Sequence, residues 1–276
     1  MKKKSNVIVG ALITAAALAV IGIIIFAVKE SEARTPVILI KEQNGFYKPG
    51  DTIDINDLVE VKVKGEYVLE GRILAGDEYC ELDGNGILHI LDHGQQAMNT
   101  IDVECTATGS NRKSVSERVY FDVQNPINDS NSYEVTVSSI SFRVYNNLKD
   151  QGNGVFARGE GLADNDYEII FHSSDTAGDI DKLETEIREY AREKYSMSDA
   201  EYESEDVVLD SGEKARRITF STIRTEGNNY TNGDVSGLYV RVVIYAFNKG
   251  NQRFYIEDNN SWCSQYEAEQ IANTIR

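Results

Sequence analysis

Hydrophobic and polar residues divide the chain into three parts with different periodicities. The first part is an apolar run over residues 7–28, VIVGALITAAALAVIGIIIFAV, whose one polar side chain is Thr14. As a helix with about 1.5 Å of rise per residue, this run would be about 33 Å long. The hydrocarbon core of a bilayer is about 30 Å thick. The run therefore predicts an N-terminal transmembrane helix over residues 7–28.

Charges on either side of this run predict its orientation. Lys2, Lys3 and Lys4 precede it, whereas the basic residues that follow are interleaved with Glu30 and Glu32. The positive-inside rule then makes residues 1–6 a cytoplasmic tail and places the later domains of a single-pass cell-membrane protein outside the cytoplasm. We expect a bacterial source from this short, lysine-led anchor.

A cleaved signal peptide is the alternative interpretation of the same run. Ser31-Glu32-Ala33 has the small residues of a cleavage site, so cleavage before Arg34 stays open. The apolar core of such signals usually has about 7–15 residues, and this run is longer. The length favours a retained anchor that attaches the protein to the membrane through residues 7–28.

From residue 35 to residue 123 the pattern changes to short alternating segments separated by turns. Val59, Val61 and Val63 alternate with polar residues, and Asp83-Gly-Asn-Gly86 forms a tight turn between two further segments. Alternation with a period of two is typical of strands with one buried face. Several such strands in succession predict an all-β sandwich.

The same region resembles the bacterial Ig-like surface domains. The resemblance lies in Tyr47-Lys-Pro-Gly-Asp-Thr-Ile-Asp54, in Asn99-Thr-Ile-Asp-Val-Glu-Cys-Thr-Ala-Thr-Gly109 and in Val119-Tyr-Phe-Asp-Val123. It implies an Ig-like β-sandwich over residues 35–123. Because that family consists mainly of spacer and adhesive modules, the resemblance implies no catalytic residues.

A polar linker, residues 124–132, leads to a second domain over residues 133–276. Residues 133–144 alternate as a strand, and Ile180, Leu183 and Ile187 lie on one face at helical spacing. Ser264-Gln-Tyr-Glu267 matches a capping box at the start of a terminal helix. Further strand-like segments lie between the two helices, and together these elements predict an α+β domain in which an antiparallel sheet carries two helices.

The order of four segments in this domain resembles the PsbP/Mog1-like fold and its bacterial lipoprotein relatives. They are Ile140-Ser-Phe-Arg-Val144, the predicted helix over residues 180–195, Gly212-Glu-Lys-Ala-Arg-Arg-Ile218 and Gln252-Arg-Phe-Tyr-Ile256. The family usually has Pro and an aromatic residue after the opening strand, where this chain has Tyr145-Asn-Asn-Leu148. The resemblance implies a binding or assembly module and brings no shared catalytic motif.

The charge balance excludes one class of partner. Residues 1–34 hold five of the 28 basic and two of the 45 acidic residues, so the remaining chain has a net charge of −20. Such a surface repels phosphate backbones, which argues against nucleic acid as a partner. An envelope or extracellular partner of unspecified chemistry fits the predicted location.

The cysteines and histidines offer few candidates for chemistry. Cys80 and Cys105 fall in one predicted domain and form the candidate disulfide, with two unpaired buried thiols as the alternative. Cys263 and His172 would be the nucleophile and base of a thiol-dependent enzyme, but no family motif surrounds Cys263. We therefore predict no catalytic residues, no cofactor and no metal site.

These observations predict a membrane-anchored extracytoplasmic binding or adhesion module without catalysis. The alternative is a structural spacer or an assembly subunit of a cell-envelope complex, and a thiol enzyme using Cys263 is the least favoured. Tyr230, in a loop rich in glycine and asparagine, and Trp262, in the turn before the last helix, are the predicted partner-binding residues. Tyr and Trp are enriched among interface anchors, although Trp262 also fits a packing role between sheet and helix.

Overall fold

A computed structural model describes residues 28–29, 34–41, 46–158, 168–174, 177–195, 200–224, 238–259 and 264–276. The chain divides into two compact units. The first consists of residues 1–91 and 100–123, and the second of residues 92–99 and 124–276. The segment 92–99 thus belongs to the second unit although it lies within the sequence of the first. The predicted domain boundaries stay a prediction.

The first unit is built from short strands and one helix of four residues. Its elements are β1 (Val37–Ile40), β2 (Thr52–Asp54), α1 (Ile55–Leu58), β3 (Val59–Lys62), β4 (Tyr67–Ala75), β5 (Cys80–Leu82), β6 (Ile87–Ile90), β7 (Met98–Gly109) and β8 (Ser114–Gln124). They form the sheets β1-β3, β2-β6-β5 and β4-β7-β8. One apolar core, which includes Leu58, Leu88 and Val103, holds these sheets together.

Helix α1 was not predicted, because four residues give too short a stretch for helical periodicity. Asp54 caps it: its carboxylate accepts a hydrogen bond from the Asn56 N–H at 2.8 Å. This bond satisfies one of the main-chain donors at the helix start, and it holds the pKa of Asp54 below its usual value. Ile55 and Leu58 turn into the core.

The second unit is organised around a seven-stranded antiparallel sheet in the order β11-β12-β13-β17-β16-β15-β14. Its elements are β9 (Ser132–Val137), β10 (Ile140–Tyr145), β11 (Leu148–Gly152), β12 (Val155–Arg158), β13 (Glu168–Ser174), α2 (Ile180–Tyr195), β14 (Glu201–Val208), β15 (Lys214–Arg224), β16 (Leu238–Lys249), β17 (Gln252–Asp258) and α3 (Ser264–Asn273). The strands β9 and β10 form a separate antiparallel hairpin.

The central strand β16 shows why both faces of this sheet are covered. Val243, Tyr245 and Phe247 belong to the core cluster that also contains apolar residues of α3 and β10. The residues between them, Val242, Ile244 and Ala246, belong to the cluster that contains the apolar residues of α2. Successive side chains of a strand point to opposite faces, so one apolar strand supports a helix on each side.

Two elements of the second unit differ from the prediction. Residues 133–144 form two strands, because the apolar spacing changes from two to three between Val137 and Ile140, and Ser138 takes a φ of 57° in the turn. Strand β14, EYESEDVV, is not indicated by the pattern of hydrophobic residues. It lies at the edge of the sheet, where charged residues are common and an apolar alternation is not required.

Buried amide hydrogen bonds tie the segment 92–99 into the second unit. Asn125 donates from Nδ2 to the Gln96 carbonyl at 2.8 Å and to Oδ1 of Asn99 at 2.7 Å, and its N–H donates to the Ala97 carbonyl at 2.9 Å. The Tyr145 hydroxyl donates to the Asn125 carbonyl at 2.6 Å. Polar groups buried in this way must be satisfied internally.

The predicted fold class requires correction. It combined an N-terminal transmembrane helix, an Ig-like sandwich and an α+β domain with two helices, whereas the described residues form mostly antiparallel sheets with three short helices. None of the helices in these ranges has the length and apolar character needed to cross a bilayer. The predicted span 7–28 lies outside the described residues apart from Val28, and the Ig-like arrangement is not shown.

Candidate functional site

Four polar side chains meet between helix α2 and the sheet, and we call them the Glu257 cluster: His172, Tyr190, Lys194 and Glu257. Glu257 has no exposed surface. Its Oε2 lies 2.9 Å from Nε2 of His172 and accepts a hydrogen bond from the Tyr190 hydroxyl at 3.1 Å. Its Oε1 accepts a hydrogen bond from Nζ of Lys194 at 2.8 Å.

The local sequence explains how these groups come together. Phe254 and Ile256 of β17 face the core beneath α3, so Tyr255 and Glu257 face α2. His172 of β13 is paired with Tyr255, and the two rings stack with centroids 3.9 Å apart. Burial raises the pKa of the Tyr255 phenol above its ordinary value. Tyr190 and Lys194 are four residues apart, which places them on one side of the helix.

The chemistry of the Glu257 cluster is that of a paired buried charge. A carboxylate removed from water is costly unless it is paired and hydrogen-bonded, and the Lys194 ammonium and the Tyr190 hydroxyl meet that need. The side chains of His172 and Lys194 are 25% and 29% exposed to solvent. An imidazole held by a carboxylate has the orientation of a general base, but the proposed nucleophile Cys263 lies outside the described residues. The contacts present here anchor α2 to the sheet.

Neither Glu257 nor Lys194 was predicted to have a role. The available signal was a lysine at the end of the apolar face of α2, after Leu183, Ile187 and Ala191. A lysine on a buried face requires an acidic partner, but the sequence does not show which of many acidic residues provides it.

A second buried ion pair fixes the start of α3. The Arg158 guanidinium donates to both oxygens of Glu267 at 2.9 and 2.8 Å, and Glu267 is almost fully buried. The predicted capping box is not formed, because Oγ of Ser264 has no hydrogen-bond partner in the described structure. The Glu267 carboxylate instead binds a strand residue, and this long-range pair could not be read from the local motif.

An open polar cleft of about 680 Å³ lies on the second unit, and we call it the C-terminal cleft. It is lined by residues 127–129 before β9, Arg143 of β10, the turn with Asp210, Ser211 and Glu213, Lys249 at the end of β16, and residues 273–276. Five separated segments of the chain thus meet at one surface. Its lining carries charged groups of both signs.

Arg143 organises one wall of the C-terminal cleft. Its Nε donates to Oγ of Ser132 and one terminal nitrogen donates to the Ser132 carbonyl, both at 2.9 Å. Its other terminal nitrogen lies 3.1 Å from Oδ1 of Asp129, whose side chain is 99% exposed. Exposed ion pairs contribute little to stability, so Asp129 can exchange this contact for one with a bound group at little cost.

Glu213 and Lys249 form the opposite wall. Nζ of Lys249 lies 3.3 Å from Oε1 of Glu213. A hydrogen bond from Ser211, together with this ammonium, holds the pKa of Glu213 below its ordinary value. Oε2 of Glu213 is buried and has no hydrogen-bond partner among the residues described. The wall therefore carries an ionised carboxylate beside an ammonium group.

The structure describes only some of the residues predicted to form a site. Tyr230, Trp262 and Cys263 lie outside the described residues, so the partner-binding prediction stays a prediction. Cys80 and Cys105 are free and buried, on the strands β5 and β7 of different sheets, and no disulfide joins them. Burial raises the pKa of each thiol to about 11.

Metal-binding groups do not cluster in the described ranges, where no set of three His, Cys, Asp or Glu residues could hold an ion. One histidine in these ranges, His89, lies beside a single carboxylate: its Nε2 is 3.7 Å from Oδ2 of Asp83.

The comparisons with known proteins found a similarity to a solved structure. No family model and no curated protein matches the chain. The solution structure of the cyanobacterial PsbP protein CyanoP from Synechocystis sp. PCC 6803 is similar with a TM-score of 0.37 and 10% sequence identity. The match covers 54% of this chain and 94% of CyanoP. With a TM-score of 0.37 and 10% identity, this similarity carries no argument about the fold or the function of the chain.

Proposed function

We propose that the protein is a non-catalytic binding or adhesion module that works outside the cytoplasm and contacts a protein partner through the C-terminal cleft. The observation that supports this proposal is the meeting of Asp129, Arg143, Asp210 and Lys249 at one open surface. Charges of both signs in a fixed arrangement select a partner by electrostatic complementarity. The Asp129 side chain, which is 99% exposed, can leave Arg143 to admit such a partner.

The location outside the cytoplasm is supported by the sequence rather than by the fold. The apolar run over residues 7–28 follows three lysines, as in segments that direct a chain for export. The strongly acidic remainder is well solvated and disfavours nucleic acid. We therefore place the cleft on the extracytoplasmic side of the cell envelope.

An assembly subunit of an envelope complex is the second candidate. The acidic surface favours it, because a high net charge keeps a spacer soluble and suppresses unspecific association. In that case the partner at the cleft would be a fixed component of a complex rather than a separate ligand. The two candidates therefore predict different partners at the same cleft.

Site-specific photo-crosslinking in the source cells tests the proposal. A benzophenone amino acid replaces Ser211, in the cleft, or Lys182, exposed on α2 and outside the cleft lining. We expect a protein adduct at position 211 and none at position 182. The double variant Asp210→Lys, Lys249→Glu should lose the adduct because it reverses both charges.

The identity and specificity of the adduct decide the outcome. An adduct with a variable external protein supports a binding module, and one with the same envelope protein in every preparation supports an assembly subunit. The proposal is wrong if position 211 gives no adduct, or if both positions give the same one.

A further inference from the structure

The strand β4 of the first unit has one unpaired edge. In the sheet β4-β7-β8 it pairs only with β7, in the antiparallel register Tyr67↔Gly109 to Ile73↔Val103. Within the described part of the chain, the main chain of residues 68–74 makes no hydrogen bond outside that pairing. Free N–H and C=O groups along an edge are a template for another extended chain.

This edge lies in a groove of about 820 Å³ rather than on an open surface. One side is residues 68–72 of β4 together with Glu104 and Thr106 of the paired strand β7, and the other is formed by Ile55 and Asn56 of α1 and by the turn at residues 82–86. Five residues of strand give a groove about 16 Å long, since each residue advances about 3.3 Å. A short extended peptide has these dimensions.

A glycine in β4 allows α1 and β5 to pack closely on one face of this strand. A Cβ added at Gly71 would lie 3.1 Å from both Cγ2 of Ile55 and Cδ2 of Leu82. Real Cβ atoms seldom make such tight contacts, so a side chain here would displace the wall. Because the Cβ of a strand residue points out of the plane of the sheet, the absence of a side chain brings α1 and the Leu82 end of β5 against one face of β4 and leaves its edge to the groove.

The charge of the groove determines which peptide it fits. Its lining has three carboxylates, Glu70, Asp83 and Glu104, and one guanidinium, Arg72. Arg72 is already 3.1 Å from Glu104. Glu70 is exposed and has no ion pair among the residues that the structure describes. The groove is therefore acidic, with Glu70 available to a cation.

We propose that the β4 groove binds an extended peptide segment carrying lysine or arginine, which adds to the sheet as a strand beside β4. Main-chain hydrogen bonds to β4 would provide the affinity, and the contact of a basic side chain with Glu70 would provide the selectivity. This site is on the first unit and is separate from the C-terminal cleft, so either can fail without the other.

Selection of peptides tests the proposal on the full chain. A phage-displayed library of random dodecapeptides is selected on the wild-type protein, with prior removal of phage that bind Glu70→Lys. We expect enrichment of peptides that combine β-branched residues with Lys or Arg. The best synthetic peptide should bind Glu70→Lys at least about tenfold more weakly, as expected when one charge of a complementary pair is reversed.

Two controls separate strand addition from simple charge attraction. Glu117→Lys, exposed on the opposite edge strand β8, makes the same charge change on the same sheet outside the groove, and its affinity should stay within about twofold. Two versions of the peptide are N-methylated at alternate amides, one at the odd-numbered and one at the even-numbered positions. One of the two should bind at least about tenfold more weakly, because its methylated amides are those that would donate to β4. Hydrogen exchange at residues 68–74 should slow when the unmodified peptide binds.

Four results would overturn the proposal: no enrichment, enrichment of acidic or neutral peptides, equal weakening by Glu70→Lys and Glu117→Lys, or full binding of both N-methylated peptides. Self-association of the protein that Glu70→Lys abolishes, without peptide binding, would assign the edge to a second copy and would also overturn it.

Discussion

Nζ of Lys194 lies 2.8 Å from Oε1 of Glu257, which joins the last turn of α2 to a carboxylate with no exposed surface. We expect Lys194→Met to lower the free energy of unfolding by about 3 kcal/mol, because it leaves a buried charge with fewer partners. Urea denaturation followed by circular dichroism measures this loss. Hydrogen exchange should also become faster along α2.

The matched control is Lys182→Met on the same helix. Lys182 is exposed and has no ion pair among the described residues, so its effect should be within about 0.5 kcal/mol. The double variant Lys194→Met, Glu257→Leu should recover part of the loss, because it also removes the buried carboxylate that has lost its lysine partner. Equal stability of Lys194→Met and the wild type would contradict the anchoring role of the Glu257 cluster.

Glu213 predicts a pH dependence of stability. Its pKa in the folded protein is below the ordinary value of 4.5, because Ser211 and Lys249 favour the carboxylate. A group with a lowered folded pKa stabilises the protein above its unfolded pKa, and this contribution is lost as the pH falls through the folded pKa. Glu213→Gln should therefore be less stable than the wild type above about pH 5 and should approach it below pH 4.

Urea titrations between pH 3 and pH 7 measure this difference. Glu203→Gln serves as the control. Glu203 is exposed on the neighbouring strand β14, and its carboxylate accepts no hydrogen bond and forms no ion pair in the described structure. Its difference from the wild type should not change with pH. A constant difference for Glu213→Gln as well would show that its carboxylate is not stabilised by the cleft wall.

How much of the fold could be predicted depended on how far apart the interacting residues lie in the sequence. Helix α2 has the predicted bounds Ile180–Tyr195. It could be predicted because the residues of its buried face, Leu183, Ile187 and Ala191, repeat at helical spacing within one segment. The hairpin β9-β10 was missed because the turn at Ser138 depends on a change of spacing by one residue. The charged edge strand β14 carries little apolar signal at all.

The candidate sites were less accessible because distant residues form them. Glu257 and His172 are 85 residues apart, and the C-terminal cleft combines Asp129 with Lys249. No local pattern encodes such a pairing. The prediction therefore placed binding on aromatic residues in turns, whereas the described sites depend on charged groups that the sheet topology brings together.

The state of the cysteines gives a prediction for chemical labelling. Burial raises the pKa of Cys80 and Cys105 to about 11, and the thiolate is the reactive form. In a Cys263→Ser background at pH 8, iodoacetamide should label the folded protein very slowly. In urea without reductant it should add two groups, as measured by mass spectrometry. Absence of labelling in urea until a reductant is added would instead indicate a disulfide between Cys80 and Cys105.

The fully buried Tyr145 tests how firmly the segment 92–99 is held in the second unit. Its hydroxyl donates to the Asn125 carbonyl at 2.6 Å, and the N–H of the same Asn125 donates to the Ala97 carbonyl. Tyr145→Phe removes the donor without changing the ring, so a buried carbonyl loses a hydrogen bond. We expect the free energy of unfolding to fall by about 1–3 kcal/mol, with faster hydrogen exchange of the Asn125 N–H, which donates to the Ala97 carbonyl.

Tyr133→Phe is the matched control for this change. The Tyr133 hydroxyl donates to the Leu148 carbonyl at 2.9 Å, but the residue is only partly buried. Water can replace the lost donor there, so the cost should stay below about 1 kcal/mol. If both variants lose the same stability, burial does not determine the strength of the Tyr145 bond. If Tyr145→Phe leaves exchange of the Asn125 N–H unchanged, the segment 92–99 is held independently of the Tyr145 hydroxyl, by bonds such as those from the Asn125 side-chain amide to Gln96 and Asn99.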